Sequence, residues 1–187
     1  MTDINKDFIP PRGEYKKLIV YQVSECIYDI TYYFAHKYLR GGDRTIDQMV
    51  QAARSGKQNI AEGSSAAATS RETQLKLTNV AKASLQELLI DYEDYLRVRN
   101  LEQWSIDSEK SRQTRSFCAK HNDSAVYREA IKLRSDETIS NIAITLIHQA
   151  DNLLMKLLEY QKRDFLANGG IREEMTRARV AERNKNR

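Results

Sequence analysis

Residues 54–73 read RSGKQNIAEGSSAAATSRET and place two of the chain's seven glycines inside a segment whose other residues favour a helix. Gly56-Lys57 resembles half of a phosphate-binding loop. Such a loop needs a glycine-rich turn between a strand and a helix, and its Gly-Lys pair is followed by a Ser or Thr whose hydroxyl reaches magnesium. Here Gln58 follows Lys57, Gln51 stands where the first glycine belongs, and no strand pattern precedes. The stretch therefore reads as helix. Gly56 and Gly63, with Ala53 and Ala61, give it a small-residue face that lets a neighbouring helix come close. A glycine costs a helix about 1 kcal/mol relative to alanine, so two of them call for a packing reason.

Apolar residues spaced by three and four extend the helical reading in both directions. Asp43 can cap the helix that contains the stretch, whose inward positions are Ile46, Met49, Val50, Ala53, Gly56, Ile60 and Gly63. Before it, a first helix runs from about Glu14 to Leu39 through Val20, Val23, Ile27, Ile30 and Phe34, widened by Ile19, Cys26 and Tyr33, and stops at Gly41-Gly42. A third opens at Thr69 or Ser70, with Thr69 and Glu72 at capping-box spacing, and runs to about Arg99 through Leu77, Val80, Ala81, Leu85, Leu88, Leu89, Tyr92, Tyr95 and Leu96. A fourth opens near Ser135 or Asp136 and ends at Asn168-Gly169-Gly170.

A connection as long as residues 100–134 is rarely structureless, so short helices are predicted around Ser108 to Ala119 and Ser124 to Leu133. Ile171, Met175 and Ala178 share a narrow face that suits a short fifth helix. The expected fold is all-α: an antiparallel up-down four-helix bundle, with short extra helices between its third and fourth members and a basic C-terminal extension. Residues 1–170 form the bundle domain, residues 1–13 an extended arm, and residues 171–187 a partly helical suffix. Only two prolines in 187 residues agree with this class.

No apolar run approaches the length of a bilayer, and Met1 to Gly13 lacks the apolar centre of a signal peptide, so a soluble, cytoplasmic protein is expected. Cys26 and Cys118 suggest no disulfide framework. Cys118 and His121 have C-x-x-H spacing, but a second pair of ligands is missing nearby. His36 and His148 have no nucleophile beside them, and the run Glu87, Asp91, Glu93, Asp94 lacks the Glu-x-x-His pairs of a di-iron bundle. No catalytic residue, metal site or cofactor is expected.

Charge is the functional signal. Residues 110–134 carry Lys110, Arg112, Arg115, Lys120, Arg128, Lys132 and Arg134 against Asp123 and Glu129 alone. Residues 171–187 add a second basic group that includes Arg172, Arg177, Arg179, Arg183 and Lys185. Cations so concentrated can neutralise phosphates and release counterions, and Tyr32, Tyr33 and Tyr38 could stack on bases or fill interfaces.

The segment Asn59-Ile60-Ala61-Glu62-Gly63, following Ala52-Ala53-Arg54-Ser55, resembles the signature of a family of bacterial four-helix-bundle proteins. That family includes the proteins encoded in intervening sequences of large-subunit ribosomal RNA genes and the accessory variability determinant (Avd) of diversity-generating retroelements. Phe165-Leu166-Ala167-Asn168-Gly169-Gly170-Ile171, continuing through Arg177 and Arg183, resembles the branch with a four-helix-bundle suffix domain. Lys57 departs from the proline that the family commonly has just before the NIAEG segment.

The resemblance implies a left-twisted bundle assembled into a ring-shaped homo-pentamer. In the retroelement branch it also implies basic surface offered to nucleic acid and a docked reverse transcriptase. It brings no catalytic residues. The expectation is a non-enzymatic oligomeric accessory protein that binds RNA or DNA, structured RNA above all, through phosphates. The first group of seven cations is the first choice and the C-terminal group the second. The alternative is a protein-interaction scaffold that docks a partner such as a reverse transcriptase and has no direct nucleic-acid role.

Overall fold

The computed structural model describes residues 14–185, so the extended arm expected over residues 1–13 lies outside the described residues. The described chain is all-helical and contains no strand. A 3-10 turn over Tyr15–Lys17 precedes α1 (Ile19–Tyr38), α2 (Arg44–Ala66) and α3 (Arg71–Val98). Then come α4 (Glu109–Lys120), α5 (Ser124–Ala130), a 3-10 turn over Ile131–Leu133, α6 (Asp136–Asn168) and α7 (Ile171–Lys185). The helix predicted as the fourth is α6.

Side-chain caps fix most of the starts by satisfying backbone N–H groups that the first turn of a helix leaves free. Asp43 accepts from the Thr45 N–H at 2.9 Å, Ser108 from Ser111 at 3.1 Å, Asp123 from Ala125 at 2.9 Å and Ser135 from Thr138 at 3.2 Å. At α3 the cap is Ser70, which accepts from the Thr73 N–H at 3.1 Å. The Thr69–Glu72 capping box does not form; Glu72 pairs instead with Lys76 at 2.8 Å. α1 begins later than the periodicity predicts, because Leu18 is extended (φ −70°, ψ 122°) and separates the 3-10 turn from the helix. α6 stops where Gly169 takes φ 71°, a conformation that costs glycine little.

α1 packs on α2 and α6, and α3 packs on the same two helices, so the four long helices enclose one core. Ile27, Ile30 and Phe34 from α1 meet Met49 and Ala53 from α2, Leu85, Leu88 and Tyr92 from α3, and Ile139, Leu146 and Ile147 from α6. Phe34 sits among the rings of Tyr38, Tyr92 and Tyr95, with centroids 5.6, 5.1 and 4.7 Å away. The buried Tyr92 hydroxyl donates to Thr31 Oγ1 at 3.0 Å, which satisfies a polar group that would be costly to bury alone.

Two predicted inward positions face out: Val80 and Ile19 are about half exposed. Val80 lies one residue, about 100°, from the stripe set by Ala81, Leu85, Leu88 and Tyr92, so the helix cannot turn both inward.

Residues 54–66 of the opening stretch lie within α2, which packs on α3, and Arg71, Glu72 and Thr73 already begin α3. A Cβ added at Gly56 would lie 2.6 Å from Leu85 Cδ2 and 2.8 Å from Leu85 Cγ, so the leucine occupies the space a side chain would need. At Gly63 the nearest atom is Leu77 Cβ at 3.4 Å, an ordinary contact. Asn59 donates to the Ser55 carbonyl at 2.9 Å and to Ser55 Oγ at 3.1 Å, and Ser55 Oγ shares a hydrogen bond of 2.9 Å with Ser84 Oγ on α3. Glu62 is exposed.

Candidate nucleic-acid interface

Residues 99–134 are held by α6 and α1. Asn141 accepts from the Trp104 N–H at 2.8 Å and donates to the carbonyls of Glu102 and Glu137 at 2.8 and 2.9 Å, fastening the connection along the start of that helix. α4 then packs on α6, burying Ser111 and Cys118, while α5 packs on α1, burying Ser124 and Tyr127. The Tyr127 hydroxyl donates to the His121 carbonyl at 2.8 Å and ties the two short helices together. The predicted helix over Ser124 to Leu133 is divided, its last three residues forming the 3-10 turn.

This packing distributes the seven predicted cations unequally. Lys110, Arg112, Arg115, Lys120, Arg128, Lys132 and Arg134 are all exposed. Lys110 pairs with Glu102 at 3.3 Å, Arg128 with Asp29 at 2.8 Å and Lys132 with Glu129 at 2.7 Å. Glu102 and Asp29 lie outside the basic segment, so the excess of positive charge is smaller on the surface than along the chain. Arg115 donates to Ser111 Oγ at 2.8 Å within α4. Arg112, Lys120 and Arg134 have no ion-pair partner among the described residues.

α1 supplies what the charge count along the chain did not. The Tyr38 hydroxyl donates to the Arg134 carbonyl at 2.8 Å, and the Tyr33 hydroxyl approaches the Lys132 carbonyl at 3.5 Å. Lys37 donates to the Tyr33 hydroxyl at 2.7 Å and lies 5.0 and 5.1 Å from the ring centroids of Tyr33 and Tyr38. These two hydroxyls raise the Lys37 pKa above its ordinary value, so the ammonium stays charged. Lys110 and Arg134 border one cleft of about 490 Å³ between α4, the Ile131–Leu133 turn and α6. Tyr33 and Tyr38 thus hold Lys37 beside the backbone of Lys132 and Arg134, and Arg134 shares its cleft with Lys110.

Lys37 beside these tyrosines, and Trp104 and Phe117 lining the cleft, are residues the sequence did not single out. For Trp104 a signal was present, since it is the chain's single tryptophan and stands in a polar stretch just before Lys110.

The C-terminal cations are elsewhere. α6 has 33 residues, about 50 Å at 1.5 Å per residue, and α7 follows its far end. Arg172, Arg177, Arg179, Arg183 and Lys185 therefore do not join Arg134 on one surface of the chain. Gly169 and Gly170 form the joint. The Gly170 N–H donates to Glu173 at 2.9 Å, and Arg71 of α3 pairs with Asp164 at 2.9 Å and Glu174 at 2.8 Å while donating to the Gly169 carbonyl. Arg177 donates to the Asn168 carbonyl, and Lys185 lies 3.7 Å from Glu182.

The other candidate groups have local roles. Burial, with nearby Asp29 and Glu25, raises the Cys26 thiol to about 12, and burial also raises Cys118, so both stay protonated near neutral pH. His121 stacks on Phe117 with centroids 4.3 Å apart, while His148 is exposed. Asp91, raised by burial and by neighbouring Asp94 and Glu87, lies in a groove between α2 and α3. No group of three or more His, Cys, Asp and Glu is arranged to hold a metal among the described residues. No described helix is long and apolar enough to cross a membrane.

No family model matches the chain, and no curated protein or solved structure shows significant similarity to it.

Proposed function

We propose that this chain is a non-enzymatic, oligomeric accessory protein that binds nucleic acid, structured RNA above all, through phosphate contacts from the face shared by α1, the Ile131–Leu133 turn and α4. The observation that carries the reading is that the hydroxyls of Tyr33 and Tyr38 hold Lys37 of α1 beside the backbone of Lys132 and Arg134, while Arg134 shares one cleft with Lys110. Ammonium and guanidinium groups beside phenolic hydroxyls offer donors spaced along a backbone, and phosphate contacts position a nucleic acid without reading its bases.

In the same reading α1, α2, α3 and α6 form an antiparallel up-and-down four-helix bundle, supported by their pairwise packing and by the short connections between α1, α2 and α3. The likeness of the NIAEG and GGI segments to the bacterial four-helix-bundle family supports membership in that family and a homo-pentameric ring. Closed rings of identical subunits repeat one basic face around an axis, which multiplies weak phosphate contacts on a single RNA.

A filter-binding titration tests the proposal. Retention of a structured RNA is expected to be strong at low salt, with the logarithm of affinity falling linearly with the logarithm of salt concentration. Absence of retention at low salt, or a flat salt dependence, would overturn it.

A further inference from the structure

The cleft between Lys110 and Arg134 has features that phosphate binding alone does not use. Its walls carry Trp104, Phe117 and Tyr127 with the aliphatic Ile131 and Ile142, and its volume of about 490 Å³ lies in the range of small-molecule sites. The aromatic walls are held in place before any ligand arrives. Trp104 is fixed through its backbone N–H to Asn141, Tyr127 through its hydroxyl to His121, and Phe117 meets Tyr127 edge-on with centroids 5.8 Å apart. Phe117 nevertheless remains more than a third exposed.

Trp104 Nε1 is buried with no hydrogen-bond acceptor among the described residues. An indole N–H shut away from water normally finds a partner, because leaving it unpaired costs about 1–3 kcal/mol. Trp104 borders this cleft and a second groove with Asn141 and His148, so its Nε1 is an unpaired donor beside the cleft rather than one open to it. Gln113, Thr114 and Thr138 add amide and hydroxyl groups to the same cleft, and the cations Lys110 and Arg134 both border it. Lys110 also lies 5.6 Å from the centroid of the Trp104 ring.

We propose that this cleft takes one nucleotide unit, with its base against Trp104 and Phe117 and its phosphate between Lys110 and Arg134. The inference rests on the nucleic-acid reading and deepens it. Aromatic walls favour a flat ring over a branched apolar group, the amide and hydroxyls suit the edge of a base, and the two cations select an anion. The unit could be a free nucleotide or an unpaired residue of an RNA, since both present the same base and phosphate.

Trp104 is the chain's single tryptophan and borders both this cleft and a groove with Asn141 and His148, so the Lys110→Ala and Arg134→Ala variants, whose residues line only the first, assign a fluorescence change to the cleft. The probes are a nucleoside 5′-monophosphate, inorganic phosphate, an RNA hairpin with a bulged nucleotide and the same hairpin fully paired. Quenching by the bulged hairpin, with none by the paired hairpin or inorganic phosphate, is expected. Quenching by the monophosphate as well would identify a site open to free nucleotide, and its absence one that takes the unit only within RNA.

Lys110→Ala and Arg134→Ala should each raise the half-saturating concentration about tenfold, the loss of one charge-assisted hydrogen bond. Fluorescence unchanged by every nucleotide probe, while filters still retain RNA, would overturn the cleft and leave the phosphate-binding face standing. Fluorescence that changes only with protein concentration would mean a second copy of the chain fills the cleft, and would overturn it too. No retention of RNA at all would remove the reading on which it rests.

Discussion

Gly56→Leu is expected to abolish cooperative folding or remove most of the protein's stability. A single added Cβ would already overlap Leu85 at 2.6 and 2.8 Å, and the carbonyl oxygen of Ala81 lies 3.6 Å from the same point. Leu85 is 1% exposed and surrounded by core side chains, so it cannot swing into solvent to make room. Overpacking by a methylene or two costs about 1–3 kcal/mol, and a whole leucine between α2 and α3 must push the helices apart. An expected loss above about 4 kcal/mol is a large part of the 5–15 kcal/mol that holds a typical domain together.

Thermal melting followed by circular dichroism checks this, with Gly63→Ala as the companion. There the nearest contact is 3.4 Å, and replacing glycine by alanine favours the helix by about 1 kcal/mol, so that variant should melt at or above the wild-type temperature. A Gly56→Leu protein that melts like wild type would mean that close approach of the helices is not why the glycine is there.

The variant Lys110→Ala, Lys132→Ala, Arg134→Ala is expected to bind structured RNA about a hundredfold more weakly near physiological salt, at unchanged stability. Each cation that faces a phosphate releases about one counterion, so the slope of log affinity against log salt should become shallower by two to three, roughly. Stability should hold because Lys110, Lys132 and Arg134 are exposed. Lys110 and Lys132 leave only ion pairs more than half exposed on both sides, which are worth about 0–1 kcal/mol. Filter binding measured beside melting separates the two effects. Equal slopes for variant and wild type would exclude these residues from the interface.

The elements were legible wherever a cap and a periodic stripe agreed. Asp43, Ser108, Asp123 and Ser135 each stand before a helical run and each accepts a backbone N–H from it. Where two short polar residues competed at the start of α3, spacing alone favoured Thr69 and Glu72, but the turn made by the Ser70 N–H to the Ala66 carbonyl at 2.7 Å gives the cap to Ser70. The small-residue face of residues 54–63 was visible as composition. Which glycine is indispensable was not, because that depends on where Leu85 of another helix falls.

The site was half legible. Cations within one segment can be counted, but Asp29 and Glu102, which neutralise two of them, come from positions brought near only by folding. Lys37 was invisible for the same reason, since Tyr33 and Tyr38 link it to the Ile131–Leu133 turn across nearly a hundred residues.

Lysine acylation in the presence and absence of bound RNA, read residue by residue by mass spectrometry on the intact protein, tests the proposed interface most directly. Lys37, Lys110 and Lys132 should lose most of their reactivity when RNA is bound. Lys156 and Lys162, exposed on the distal half of α6, should keep theirs. RNA that binds but protects Lys156 and Lys162 while leaving Lys37, Lys110 and Lys132 reactive would contradict the assignment of this face.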